Sequence, residues 1–262
     1  MTKFIKMLSV SLALLANVAF AADNSIYIDQ SGSDSTIDIV QTGAGNVIRG
    51  IQGVGTSNAT PAKMTGSDAV VDVRQVGSDN TLNLGFDATK ATGEANSINL
   101  KYYVTGNNGT ATVNVNNGGT GTAASNTIDV QQSGNTAGLN LNMTGEKNNF
   151  TAVTSGGSSN SIISTINANN TTNTISMTGG GNNTLTQTIT SNKATNNITT
   201  VGASNGITLT QSGVAGTNGH AFTIDLTGSS NTFNVTQGGT IDTTVNLLSN
   251  GSGNTWNITT GN

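Results

Sequence analysis

The chain has 262 residues, of which 34% are hydrophobic and only 8% charged, and its formal net charge is −4. So few charges exclude the expanded disorder that like-charge repulsion sustains, and an acidic balance excludes nucleic-acid binding, which needs clustered Lys and Arg. The absence of Cys excludes disulfides and thiolate metal sites, and the single proline, Pro61, leaves strands free to pair.

Residues 1–21 read as a secretory signal peptide. Lys3 and Lys6 form the basic start, an apolar run follows from Met7 to Ala16, and Ala19-Phe20-Ala21 supplies the small-residue cleavage site. Without Lys3 and Lys6, seven basic residues stand against thirteen acidic, a net charge of −6. No later apolar run is long enough to span a bilayer, so a membrane-spanning protein is not expected.

From residue 22 to 262 the chain repeats one short frame: polar, x, apolar, x, apolar, x, Gln, x, Gly. Asn24 opens it with Ile26, Ile28, Gln30 and Gly32. Ser35 repeats it with Ile37, Ile39, Gln41 and Gly43, and Asn46 restarts it with Ile48 and Gln52, at steps of eleven. Apolar–polar alternation over so few residues, bounded by Gly, is the signal of a half-buried β-strand. A looser stretch from Gly53 to Gly66 is an insertion or an irregular rung. The frame returns at Val71, Val73, Gln75 and Gly77, and continues through Asn80, Leu82, Leu84 and Phe86. A second loose loop runs from Asp87 to Ala95. Asn96, Val113 and Val115 follow, and then Asn126 with Ile128, Val130, Gln132 and Gly134. Leu139, Leu141 and Met143 come next, and then Asn148 with Phe150 and Ala152.

Beyond residue 148 only Lys193, Asp225 and Asp242 carry charge. The frame persists from Asn160, Asn173, Asn183 and Asn197, and is clear again at Asn205 with Ile207, Leu209 and Gln211. Asn231 gives Phe233, Val235 and Gln237, and Asn254 gives Trp256 and Ile258. A lone strand of this kind cannot bury its apolar face. Internal repeats of this length point to a solenoid. The expected fold is all-β, a parallel β-solenoid of strand–turn–strand rungs of about 22 residues, stacked roughly 4.8 Å apart in about eleven rungs. Ile26, Ile28, Ile37, Ile39, Ile48, Val71, Val73, Ile128, Val130, Ile207, Leu209, Phe233 and Val235 would form the core seam. Asn24, Gln30, Ser35, Gln41, Asn46, Gln52, Gln75, Asn80, Gln132, Gln211 and Gln237 would form the polar ladder along which copies self-assemble. The third position after each polar start, including Asp38, Arg49, Asp72, Asn114 and Asp129, would face outward. Trp256 is assigned to the seam of the last rung. The charge-poor part, 148–262, is expected to self-associate hardest, with the Asp residues of the first half as gatekeepers.

The run Ser35-x5-Gln41-x-Gly43-x-Gly45-Asn46-x-Ile48-x3-Gln52 resembles the curlin repeat, Ser-x5-Gln-x-Gly-x-Gly-Asn-x-Ala-x3-Gln, departing only at Ile48. Gln75-x-Gly77-x-Asp79-Asn80 is a second partial copy. The resemblance implies a secreted subunit of curli-type functional amyloid in a bacterial biofilm matrix. It also implies homo-polymers, a nucleating minor subunit and a dedicated outer-membrane secretion channel reached through the periplasm.

No catalytic constellation accompanies this pattern. His220, the only His, falls at the polar start of a repeat and reads as a turn or ladder residue. Asp29 and Asp38 are repeat positions rather than an acid–base pair. Gly179-Gly180-Gly181 reads as a turn, because it lacks the Lys of a phosphate loop. No enzyme activity, cofactor or metal is expected. Two other readings of the same fold are a monomeric solenoid adhesin or fibre protein, and ice binding through Thr186, Thr188 and Thr190, whose pattern does not repeat on one face through the chain.

Overall fold

The computed structural model describes residues 24–32, 34–50, 62–66, 68–87, 97–106, 108–116, 125–179, 181–190, 193–212, 219–239, 242–251 and 253–261. The expected signal peptide lies outside these residues, as do Gln52, Pro61, Asn96 and Gly180.

All regular structure in the described residues is β-strand. The strands form two facing sheets, and every rung runs out along the first and back along the second. In the first sheet β1 (Ser25–Tyr27) and β2 (Asp29–Ser31) share one level. β4 (Val47–Arg49) and β5 (Ala62–Thr65) share the next. Above them lie β7 (Thr81–Asp87), β9 (Asn108–Asn116), the first halves of β11 (Thr136–Ser155) and β12 (Ser159–Thr178), β13 (Asn182–Ile189), β15 (Ser204–Gln211), β17 (Ser230–Gln237) and β19 (Thr255–Thr259). The second sheet stacks β3 (Ser35–Thr42), β6 (Ala69–Gly77), β8 (Ser97–Gly106), β10 (Ser125–Ser133), the second halves of β11 and β12, β14 (Lys193–Val201), β16 (Ala221–Thr227) and β18 (Thr244–Asn250).

Every pairing is parallel. This is the parallel β-solenoid that the repeats predict. Strand side chains alternate, so each strand sends every second residue into the space between the sheets. Ile207 and Leu209 are buried there, and so are Phe233 and Val235. A buried aliphatic of this size contributes roughly 1.5–3 kcal/mol.

The described residues form nine complete rungs and one half-rung, where about eleven are expected. Insertions account for the difference. Ile48 pairs with Leu82, an advance of 34 residues, whereas Ala62 pairs with Leu84, an advance of 22. Ile48 and Ala62 are thus twelve residues further apart in sequence than Leu82 and Leu84, which lie above them. Of the loose stretch from Gly53 to Gly66, residues 53–61 lie outside the described residues. Its last residues, Ala62–Thr65, are core strand, and Met64 rather than Gln52 takes the place above Gln30. A second surplus separates the sheets: Thr65 to Ala69 takes four steps, but the next such passage, Asp87 to Ile98, takes eleven.

The opposite edge is nearly invariant. Gln41 to Asn46, Gln75 to Asn80 and Leu226 to Asn231 each take five steps. Gly77 and Gly106 lie one above the other on this edge. A Cβ on Gly106 would overlap the Gly77 carbonyl oxygen, so the edge accepts nothing larger. Three turns, the first two of them on the other edge, carry Gly-Ser-Asp triplets. Gly32, Gly66 and Gly77 have φ of 134–137°, and Asp34, Asp68 and Asp79 each have φ of 57°. Asp is among the few non-glycine residues that tolerate this left-handed region.

Gly106→Ala is expected to lower stability by about 1–3 kcal/mol, because backbone must move to admit the methyl group. Gly206→Ala, where a Cβ meets nothing within 4 Å, is expected to be neutral or stabilising by up to about 1 kcal/mol. Urea denaturation of freshly diluted protein checks both, and equal midpoints would contradict the close-packed edge.

Candidate assembly surfaces: amide ladders and open ends

Stacking in register places like residues on like residues. Asn80 Nδ2 donates to Asn46 Oδ1 at 2.7 Å. Higher in the first sheet a continuous amide ladder runs through five rungs. Asn160 donates to Asn183 (2.9 Å), Asn183 to Asn205 (3.0 Å), Asn205 to Asn231 (3.2 Å) and Asn231 to Asn254 (2.9 Å). Between these stretches the same position holds Gly109 and Ala137, which interrupts the ladder.

The Gln positions fall into separate groups. Gln75 Nε2 donates to Gln41 Oε1 at 2.7 Å, and the buried Tyr102 hydroxyl donates to Gln75 Oε1 at 2.5 Å. Burial drives the Tyr102 phenol well above its ordinary pKa, so it stays a donor. Gln30 is exposed on the bottom rung and lies under Met64. Gln132 sits between Val104 and Thr154 and donates instead to the Gly138 carbonyl at 3.1 Å. Gln211 Nε2 reaches Gln237 Oε1 at 3.1 Å. Asn24 donates to the Thr42 carbonyl at 3.0 Å, and Ser35 is buried at its turn.

Among the seam residues, Ile28, Ile48, Val71, Val73, Ile128, Val130, Ile207, Leu209, Phe233 and Val235 are buried. Ile26, Ile37 and Ile39, on the bottom rung, are half-buried, with no described residue beneath them. Asn173 is not a polar start. It stacks on Phe150 and under Asn196, two places further along the strand, inside the seam. Asn173 donates to Asn196 (2.7 Å), which crosses the seam to donate to Gln211 (2.9 Å). Gln187 lies in the seam beneath Leu209 and above Ser164, with neither amide atom paired.

Asp38, Asp72, Lys101 and Asp129 form one outward column. Tyr103, one column over, donates to Asp129 Oδ2 at 3.2 Å. Desolvation, and then the Asp129 carboxylate, raise its pKa. Arg49 donates to the Tyr27 hydroxyl at 2.7 Å and lies 5.0 Å from that ring's centre. Asn114 falls two positions further along its strand than the frame assigned it, level with Asn142.

The Thr pattern is more regular than the sequence alone suggests. Thr165, Thr188, Thr210, Thr236 and Thr259 stack in one column through five rungs. Insertions of unequal length hide this alignment from any fixed period. His220 is wholly buried with φ of 62°, and neither ring nitrogen has a partner. Among the described residues no group of three His, Cys, Asp or Glu side chains could hold a metal, and no helix is long and apolar enough to cross a membrane.

Among the described residues, both ends of the stack are open. No strand of the described residues lies above β18 or β19. Leu248 is 64% exposed, Trp256 45% and Ile258 41%. Trp256 does occupy a seam position, tilted against Phe233 with ring centres 6.1 Å apart. The chain matches no known family, no curated protein and no solved structure.

Replacing Gln187 by Met keeps its volume and removes a buried unpaired amide, and is expected to stabilise the fold by about 1–2 kcal/mol. Asn205→Ala breaks the ladder at its middle and is expected to cost about 1–3 kcal/mol. Denaturant midpoints of the two variants should therefore move in opposite directions.

Proposed function

We propose that this chain is a secreted structural subunit that self-assembles end to end into extracellular curli-like amyloid fibres, which serve biofilm matrix, adhesion and surface attachment. The observation that carries the reading is that, among the described residues, both terminal rungs are uncovered. At one end β18 and β19 offer unpaired backbone edges with Trp256 and Ile258 beside them. At the other, β1, β2 and β3 offer theirs with Ile26, Ile37 and Ile39 half-buried. An uncapped parallel edge is a template for the next strand. The terminal strands carry the same alternation as those inside the stack, so the junction between copies can repeat the contact between rungs. The curlin-like residues from Ser35 to Gly45 lie on β3 and the turn after it, at one of these ends. By the same resemblance, a minor subunit would nucleate growth and an outer-membrane channel would export the chain.

The Thr column favours a second reading, a monomeric solenoid whose flat hydroxyl face binds ice. The adjoining outward column, with Ile163, Thr186, Thr208 and Asn234, is mixed, and a single pure column is also ordinary sheet surface.

Dilution from denaturant is expected to give thioflavin-positive fibres whose diffraction shows spacings of about 4.8 Å along the axis and about 10 Å across it. A stable, dye-negative monomer would refute the assembly reading, and inhibition of ice recrystallisation by that monomer would establish the second.

A further inference from the structure

The first sheet has ten strand levels and the second has nine, because β19 begins a rung that the described residues do not complete. The stack therefore ends in a step. Above β18 and alongside β19 is a slot one strand wide. Half-buried Val245 and Leu247 form its floor, and the exposed Trp256 and Ile258 form its side wall.

Resting on the end-to-end assembly just argued, we propose that successive copies of this chain join with a half-turn about the stack axis, so that β1 and β2 of the incoming copy fill the slot on β18 while its β3 covers β19.

The two strands of a rung run in opposite directions and face each other. A half-turn about the stack axis therefore exchanges the sheets while keeping every strand parallel to the one beneath it. The bottom rung suits this exchange, because its two halves are near copies. Asn24 to Ser35 and Ser35 to Asn46 are both eleven steps, with Ile26, Ile28 and Gln30 in one half matching Ile37, Ile39 and Gln41 in the other. After the half-turn Ile26 and Ile28 lie over Val245 and Leu247. Ile37 and Ile39 lie over Trp256 and Ile258. Every level of both sheets is then filled.

Joining without rotation would put β1 and β2 on β19 instead. It would extend the Asn ladder from Asn254 to the next Asn24, one side-chain contact. It would also leave the whole edge of β18 unpaired and its two seam residues uncovered within the fibre. A strand's length of backbone hydrogen bonds and two apolar side chains outweigh one amide pair.

The absence of native Cys makes the test direct. Stacked outward positions lie about 4.8 Å apart, within the Cα range for a disulfide. Positions 29 and 248 are at opposite ends of the stack, as are 40 and 259, so a bond within each pair reports only the junction. The full chain carrying Asp29→Cys with Leu248→Cys, or Val40→Cys with Thr259→Cys, is expected to give covalent multimers on oxidation of its fibres. Asp29→Cys with Thr259→Cys is expected to give none. Cross-linking of the last pair alone would overturn the half-turn while leaving assembly intact. If the variants fail to assemble, images of unmodified fibres decide. They should show a rise of about 46 Å per copy with a half-turn, and a rise of about 48 Å without rotation would overturn the proposal. A chain that forms no fibres in any form overturns both this junction and the assembly beneath it.

Discussion

Parallel stacking in register is the constraint from which the rest of this molecule follows. Each strand satisfies its backbone only through the strands directly above and below it, so the spacing of about 4.8 Å is imposed on every residue. A side chain that tolerates its own kind at that distance is reinforced along the stack, and one that does not is penalised along it. Amides can donate to and accept from identical neighbours, which is how Asn160, Asn183, Asn205, Asn231 and Asn254 come to form one line. Like charges at this spacing repel by roughly 1 kcal/mol even in water. The low charge content thus reflects the geometry of the fold.

Where charges do occur, their placement limits that cost. Asp38 and Asp72 are stacked neighbours, but Lys101 separates Asp72 from Asp129. Asp34, Asp68, Asp79 and Asp242 stand at turns with positive φ. Asp tolerates this left-handed conformation better than most residues, and Asp68 and Asp79 accept hydrogen bonds from the Ser97 backbone N–H and from Asn108 Nδ2 of the next rung. These aspartates are turn formers. The same distribution accounts for the two edges of the stack. The Gly-lined edge, where one residue packs on the carbonyl of the last, fixes its length. The other edge repeats this contact where Gly66 lies on the Gly32 carbonyl, yet Asp87 and Ile98, eleven steps apart, keep their places in their two sheets.

Strand existence, direction of pairing and most of the seam were legible in the sequence, because period-two alternation and Gly-bounded steps of eleven are local signals. Register in the middle of the chain was not. Nothing local distinguishes Asn173 as a seam residue from Asn183 as a ladder residue, since both precede an apolar alternation. Only the strands on either side, Phe150 below and Asn196 above, fix the difference. Met64 was missed for a related reason. A twelve-residue surplus splits its level, and the eye follows the nearer Gln52. The Gly-Ser-Asp triplets, by contrast, were visible three times over and could have located the turns.

The polar residues inside the seam bear on how a chain of near-identical rungs finds one register. Sliding the upper rungs by a whole repeat would exchange one Ile or Leu for another at most seam positions, at little cost in burial. It would also move Asn173 away from Asn196, and Asn196 away from Gln211. Each buried amide left without its partner costs about 1–3 kcal/mol. A few such mismatches match the total stability of an ordinary domain's weakest margins. Apolar packing makes the stack possible without saying which rung sits on which. The seam amides, which weaken the core wherever they stand, are what make one alignment lower in energy than its neighbours.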